Sequence, residues 1–394
     1  MYPNELQYSR FLGVKSEFSI NLFPFNKEML KYTIKKIWKY MEILLEEFYK
    51  TDLHIDKFHQ RKVFIEDKSY QINGITQSGK SKLVKNYLLS LKKNSYLYID
   101  CSDIRIEVDK LNSSLNSFCN KNRVDVLVLD NYIPSIKFVN VSQLIITSEV
   151  HYEFGMLDTL QLFPLDYEEF LAYEHKYDSS ALNHFFQLGA FPVMHKIHSD
   201  ERNLLLQRTL QYTLEEMEFD ILRFCAKMMS QKVSAFTIYE RLKQSRKISK
   251  DKLYRSFESL NSKNYIHLLE KFNHSRATKK IYLCDTSLKS ALTIEKNFGR
   301  LFENMVFLEL LKSAIECYYD DGVDFYLPNA DEIILCKPFA DERSLFKKLE
   351  SLEAYIFTHS IKKVTAVTMN REGTISHPFS EVEMLPFDIW AIGD

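Results

Sequence analysis

Cysteine pairs, long apolar runs and glycine are all in short supply in this chain of 394 residues, and each shortage narrows the reading. The six cysteines (Cys101, Cys119, Cys225, Cys284, Cys317 and Cys336) form no Cys-x-x-Cys pair. A zinc site is therefore not expected, and scattered reduced thiols are. No stretch reaches 18 consecutive apolar residues, so no membrane span is expected. The opening MYPNELQYSR lacks a basic stretch followed by an apolar one. No signal peptide is read there, and a cytoplasmic location is the expectation. Net charge is −1, which by itself suggests no partner. Hydrophobic content of 45% and charged content of 27% are ordinary for soluble globular domains, two or three of them at this length.

Glycine occurs only 9 times, and two of those fall in Gly74-Ile75-Thr76-Gln77-Ser78-Gly79-Lys80-Ser81. This reads G-x-x-x-x-G-K-S, the phosphate-binding loop signature. Gly74 and Gly79 permit backbone angles that residues with a Cβ resist, so consecutive N–H groups can curl around a phosphate. Lys80 can reach the β- and γ-phosphates, and the Ser81 hydroxyl can hold Mg²⁺. Tyr70–Asn73 reads as a strand before the loop. Leu83, Val84, Tyr87, Leu88 and Leu91 recur at helical spacing after it. The helix N-terminus adds partial positive charge toward the phosphates. ATP and Mg²⁺ are the expected ligands, since no guanine-reading motif is evident. Residues 74–82 are the expected cradle.

Before the loop, residues 1–26 read as irregular, with Pro3 and Pro24 as breakers and Asn26 as a helix cap. Leu30, Ile34, Ile37, Met41, Leu44 and Phe48 form one apolar seam. It fits packing on the loop-bearing domain, and its spacing also fits a dimer seam. From 60 to 165 apolar strands alternate with helical stretches. Tyr96–Asp100, Val124–Asp130, Gln143–Ser148 and Thr159–Phe163 join Tyr70–Asn73 in an expected parallel sheet covered on both faces. Asp130 ends its strand where ligands of open α/β sheets bind, and is the expected Mg²⁺-holding acid. Asn131 follows it; an amide orients water but accepts no proton. Thr147 ends another strand with Ser148 and is a candidate γ-phosphate sensor, simple turn chemistry being the alternative. Lys80, Asp130, Asn131 and Thr147 are thus the candidate catalytic set.

These segments together resemble one family, the AAA-related, STAND-like archaeal and bacterial P-loop ATPases that carry a C-terminal domain of unknown function. The residues that carry the resemblance are GITQSGKS, VLVLDN, IITS, LFPLDYEEF and GAFP, then Lys280–Asp285 (KIYLCD) and Gly299–Asn304 (GRLFEN). It covers about residues 60–340. It implies an α/β P-loop core of five strands at 60–165. A helical lid at 166–217 would carry Gly189–Pro192, with Pro192 near the adenine. An N-terminal helical extension would fill 1–59. The resemblance has three departures. Asn131 stands where a glutamate is usual, the sensor segment lacks its glycine, and the loop lacks an arginine many relatives carry. Arg202 and Arg208 follow the GAFP segment as candidates for phosphate contact, with a solvated helix face as the alternative.

Residues 218–298 read as helices followed by two strands, a winged helix-turn-helix pattern. Ser234 and Ser249 are candidate helix caps, and Tyr265–Phe272 with Lys280–Asp285 is a candidate hairpin. From Lys227 to Lys280 there are 14 lysines and arginines against 4 aspartates and glutamates, a local net of +10 that leaves −11 for the rest. Such asymmetry points to a partner. Lys247, Lys250, Lys252 and Arg255 on the second helix, with Arg276, Lys279 and Lys280 in the wing, are candidates for duplex nucleic-acid backbone contact. Pairing with acidic surface of the same chain, or contact with a protein partner, is the alternative. Oligomerisation is left open.

Residues 299–394 in relatives look like a restriction-nuclease fold with an acid on one strand and Glu-x-Lys on the next. Asp324 and Lys337 match, but Leu335 stands at the glutamate position. Holding a catalytic metal needs more than one carboxylate, so this small α/β end is expected to be inactive. Glu332 is the one substitute considered.

Overall fold

A computed structural model describes residues 40–175 and 179–393. The amphipathic helix expected to begin at Asn26 is described from residue 40, and residues 40–50 form α1. Asn26, Leu30, Ile34 and Ile37 lie outside the described residues. Met41 and Leu44, together with Leu45, are buried in one cluster with Leu97, Ile99, Leu111 and Leu115. That part of the seam is consumed inside the chain and is not open to a heptad partner.

The first sheet follows, built from β1 (Tyr70–Asn73), α2 (Lys80–Leu89), β2 (Tyr96–Asp100), α3 (Val108–Asn122), β3 (Val126–Asp130), β4 (Gln143–Ser148) and β5 (Asp158–Gln161). Its five strands lie in the order β2-β3-β4-β1-β5, and every pairing is parallel. The sequence shows why both faces are covered. Successive strand side chains point to opposite faces. Leu127 and Leu129 enter the cluster that holds α1 and α3 residues, while Val126 and Val128 enter the cluster that holds Leu83, Val84 and Leu88 of α2. β3 begins two residues later than the apolar run suggests, because the Asp125 and Val126 amides both donate to the Ser95 carbonyl ahead of the ladder. β5 begins one residue earlier and ends two earlier than expected. Parallel register brings Asn73, Asp100, Asp130 and Ser148 to one edge of the sheet.

A helical layer comes next: α4 (Tyr167–Glu174), α5 (Ser179–Leu188), a 3₁₀ turn at Pro192–Lys196, α6 (Ser199–Thr213) and α7 (Glu216–Lys227). Then come β6 (Gln231–Lys232), α8 (Ala235–Leu242), α9 (Lys250–Ser262), β7 (Ile266–Leu269) and β8 (Lys280–Leu283). The three strands are antiparallel in the order β6-β8-β7. Ser234 and Ser249 cap α8 and α9, accepting from the Thr237 and Lys252 amides. After α10 (Ser287–Leu292) and α11 (Phe298–Lys312) the chain builds β9 (Tyr318–Asp320), β10 (Val323–Leu327), β11 (Glu332–Cys336), α12 (Glu342–Thr358), β12 (Lys363–Thr368), β13 (Gly373–Ile375), β14 (Glu381–Pro386) and α13 (Phe387–Ile392). This mixed sheet runs β13-β14-β12-β11-β10-β9. Leu345, Leu349, Leu352 and Ile356 of α12 cover one face of it. The other face joins a single apolar cluster that extends from Ile75 through Phe170, Phe191, Cys225, Tyr265 and Phe302 to Phe325 and Phe387.

Polar joints fasten this cluster together and tie it to the first sheet. Arg61 is buried, and its guanidinium donates to Glu169 of α4 at 3.0 Å, to the Ser78 carbonyl at 2.9 Å and to the Phe163 carbonyl at 2.6 Å. Asp285 is fully buried and accepts from the Ala190 amide at 2.6 Å and the Ser287 amide at 2.7 Å. Gly189 has φ +71, and an added Cβ would lie 2.3 Å from that same carboxylate. Asn304 uses its amide as an extra ladder rung, accepting from the Leu283 N–H at 2.8 Å and donating to the Leu283 carbonyl at 3.0 Å. The Glu169, Gly189, Asp285 and Asn304 positions of the sequence motifs are therefore joints between elements.

Breaking a buried ion pair by removing one partner strands the other charge at roughly 3–5 kcal/mol. Glu169→Ala should lower unfolding free energy by about that amount in a denaturant titration, because Arg61 keeps its burial and loses its counter-ion; a loss below ~1 kcal/mol would contradict the pairing.

Candidate nucleotide site

The loop between β1 and α2 is shaped by its two glycines. Gly79 is the α2 N-cap residue, with φ 100 and ψ 13, in the left-handed region that L side chains resist. Gly74 is crowded instead: a Cβ there would sit 2.3 Å from the Leu162 carbonyl oxygen. Gln77 also has positive φ, and its side-chain amide donates to Thr209 of α6 at 2.9 Å. Ile75 is buried in the large cluster, and the Ser78 hydroxyl is buried without a hydrogen-bond partner. Thr76 and Ser81 are half-buried, as is Lys82, beside Lys196. Pro192 closes over the loop: its Cγ lies 3.7 Å from the ideal Cβ position at Gly79, with Arg61 Nη1 at 3.6 Å.

Lys80 is buried, and its ammonium donates to the carbonyls of Gly74 at 2.7 Å and Ile75 at 3.1 Å. Burial pulls its pKa down, opposed by Glu149 and then Asp130. Asp130 is almost wholly buried and accepts from the hydroxyls of Tyr98 and Thr147. The Tyr98 hydroxyl also interacts with the Ser81 side chain, and burial followed by the Asp130 charge pushes its pKa far up. Ser81, Tyr98, Asp130 and Thr147 thus form one connected polar chain. A carboxylate with adjacent hydroxyls suits a hard, oxygen-seeking cation, so Ser81 and Asp130 fit Mg²⁺ by their donor chemistry. Tyr98 was not among the residues singled out from the sequence. Its alternation with Leu97 and Ile99 marks it only as facing away from the α1 cluster.

Asn131 serves the backbone. It has φ 54, where asparagine is among the better-tolerated residues. Its N–H donates to Thr147 Oγ1 at 2.9 Å, and its side-chain amide donates to Asp100 at 2.9 Å. The side chain is exposed and tied to β2. Glu149 is the residue that sequence reading missed. It directly follows β4, the Thr76 backbone N–H favours its ionised form, and one of its oxygens is buried with no partner. Arg202 donates to the Ile197 carbonyl at 3.0 Å, and Arg208 is exposed on α6.

The basic segment divides into paired and free cations. Lys280, expected to face a duplex, is half-buried and paired with Glu303 of α11 at 2.8 Å, in side chains 12% and 14% exposed. Lys279 pairs with Glu270 at 2.6 Å. Acids on neighbouring elements thus pair with both. Lys263 is likewise held by Glu218, Arg246 by Glu216 and Asp220, and Lys271 by Asp321. Lys247, Lys250, Lys252 and Arg255 remain exposed on and before α9, with Arg276 exposed between β7 and β8. Lys250 sits between the exposed rings of Phe236 and Tyr254, 5.7 and 5.6 Å from their centroids.

In the C-terminal sheet Asp324 accepts from the Cys336 amide at 2.8 Å, with Lys337 3.9 Å away. Leu335 is fully buried against α12. Glu332 is occupied elsewhere, accepting from Thr365 at 2.6 Å, so it does not substitute beside Asp324. Among the described residues no cluster of three or more His, Cys, Asp and Glu side chains is arranged for a metal.

Gly74→Ala forces a Cβ against a backbone oxygen. It should cost about 1–3 kcal/mol of stability and abolish nucleotide binding by calorimetry; wild-type affinity in that variant would show that this loop does not hold the nucleotide.

No protein-family model matches the chain. Among curated proteins it is similar to the uncharacterized protein MJ1544 of Methanocaldococcus jannaschii, 24% identical over 426 aligned residues that cover 89% of this chain and 96% of that protein. Among solved structures it is similar to the Aeropyrum pernix ORC1 protein in complex with DNA. That match has a TM-score of 0.27 and 10% identity, and covers 68% of this chain and 94% of the other. A likeness this distant carries no argument about function. No helix among the described residues is long and apolar enough to cross a membrane.

Proposed function

We propose that this chain binds ATP at residues 74–82 and acts as a nucleotide-dependent switch of the AAA/STAND type, with weak ATP hydrolysis coupled to duplex nucleic acid or a protein partner. The observation that carries the reading is the convergence of Lys80, Ser81, Asp130 and Thr147 at the sheet edge beside a loop that only glycine can shape. Lys80 holds its ammonium on two loop carbonyls and can exchange them for phosphate oxygens. Mg²⁺ bound by Ser81 and Asp130 would neutralise charge on the phosphates. Gln77 on Thr209 and Pro192 over Gly79 put α6 and the 3₁₀ turn in contact with the loop. Phosphate binding is thereby felt in the helical layer, and the two parts would separate when nucleotide leaves.

The second reading is a nucleotide-gated binding protein that does not turn ATP over. Asn131 favours it, since its amide is spent on Asp100 and it has no proton-accepting group. Metal-dependent nuclease activity is the least supported, with Leu335 buried in the α12 core and Glu332 bonded to Thr365.

Duplex contact, in this reading, falls to Lys247, Lys250, Lys252, Arg255 and Arg276 and not to Lys279 or Lys280. Each phosphate contact adds about one unit to the slope of log affinity against log salt. Replacing Lys250, Lys252 and Arg255 by alanine should cut duplex affinity and flatten that slope by roughly 2–3 units, with ATP affinity unchanged. ATP turnover of the wild type should rise with duplex DNA and vanish in Lys80→Ala. Tight ATP binding with no turnover in either condition establishes the second reading. Duplex affinity unaltered by the triple substitution removes nucleic acid from the first.

A further inference from the structure

The proposed ATPase lacks the usual glutamate after Asp130, and the structure holds a different carboxylate at the same edge. Glu149 follows β4, the strand that ends in Thr147 and Ser148. Three observations converge on it. The Thr76 backbone N–H, in the loop between β1 and α2, acts on its carboxylate and favours the ionised form. The ammonium of Lys80 is an opposite charge acting on it, and each favours the charged form of the other. Its Oε1 is buried with no hydrogen-bond partner, a state that is costly unless a ligand or water completes it. A group within reach of both Thr76 and Lys80 lies at the γ-phosphate end of the loop, since Lys80 is the residue that reaches the β- and γ-phosphates.

We propose that Glu149, and not Asn131, is the catalytic carboxylate that takes the proton from the attacking water; the proposal rests on the ATPase reading above. The water oxygen bonds to the γ-phosphorus. The bond from that phosphorus to the β,γ-bridging oxygen breaks, and the oxygen leaves on ADP with the electron pair. The water proton goes to Glu149 Oε1 and is later given to solvent. Thr147 and Asp130 hold the neighbouring edge, and Asn131 fixes the turn beside them.

Burial shifts the Glu149 pKa upward, opposed by Lys80, Lys263 and the Thr76 N–H and supported by Glu218. The phenol of Tyr265 lies in the same field. A carboxylate whose pKa is raised is a stronger base than an ordinary one. Above its raised pKa the carboxylate is ionised and competent, and as pH falls through that value the base is lost. The pH profile of kcat should therefore carry an acid limb shifted upward from that of an exposed glutamate.

The test uses the full chain with Mg-ATP and measures affinity by calorimetry and turnover by phosphate release. Glu149→Gln should keep ATP affinity, or tighten it by removing a negative charge near the phosphates, while kcat falls on the order of 10²–10⁴-fold, the range for loss of a general base. The acid limb should vanish with it. Glu149→Ala should be partly rescued by added formate, which restores a carboxylate to the cavity, and this arm decides the matter if the glutamine variant does not fold. Turnover of Glu149→Gln within threefold of wild type overturns the proposal. So does wild type that binds ATP and never hydrolyses it, and so does an unrescued alanine variant with an unchanged acid limb. Wild type that binds no ATP overturns the underlying nucleotide reading as well.

Discussion

One buried guanidinium ties the loop, the end of the first sheet and the helical layer together. Arg61 is enclosed, and it reaches in three directions: to the carboxylate that opens α4, to the Ser78 carbonyl within the phosphate loop, and to the Phe163 carbonyl beyond β5. A buried arginine is tolerated only when paired and hydrogen-bonded. The loop, the end of the sheet and α4 must therefore keep their places together. Glu169 is equally constrained, since it also accepts from the Lys62 and Asp166 amides at 2.7 and 3.2 Å. A ligand that draws on the loop N–H groups pulls on a structure already fastened to α4.

From that anchor a relay of similar joints runs toward the C-terminal sheet. Gly189–Ala190 docks on Asp285 at the end of β8. Lys280 and Tyr282 of β8 meet Glu303 of α11, and Asn304 completes the β8 edge. Glu309, whose pKa burial raises to about 7, accepts from the Tyr167 amide at 3.3 Å and ties α11 back to α4. The continuous apolar cluster fills the space between. Interiors so packed respond to a push by switching between arrangements more readily than by bending, which is the property a nucleotide-driven switch requires.

Much of the loop-bearing sheet was legible in the sequence. The continuous apolar runs of β3 and β4, bounded by helical stretches, pointed to parallel strands covered on both faces. The Gly74 and Gly79 pair declared the loop because so few glycines exist elsewhere. Side-chain partnerships across long sequence separations were not legible. Arg61 and Glu169 are separated by 108 residues, and nothing local marks either as buried. The basic stretch was read as one field, yet Lys279 and Lys280 are neutralised by Glu270 and by Glu303 of α11. Glu149 escaped notice because it follows a strand end where turn residues are common, and only tertiary packing buries its carboxylate. Motif residues such as Asp285 and Asn304 were visible as a pattern but not as fastenings, since their partners are backbone amides and carbonyls.

The central claim is that nucleotide binding at the loop is transmitted along this relay. Hydrogen–deuterium exchange of the full chain with and without Mg-ATP, with Lys80→Ala alongside, tests it most directly. The account predicts ATP-dependent protection at 74–81 that extends through 189–194 to 280–285 and 299–304, all of it absent in Lys80→Ala. Protection confined to 74–81, with the later segments exchanging as they do without nucleotide, would contradict it.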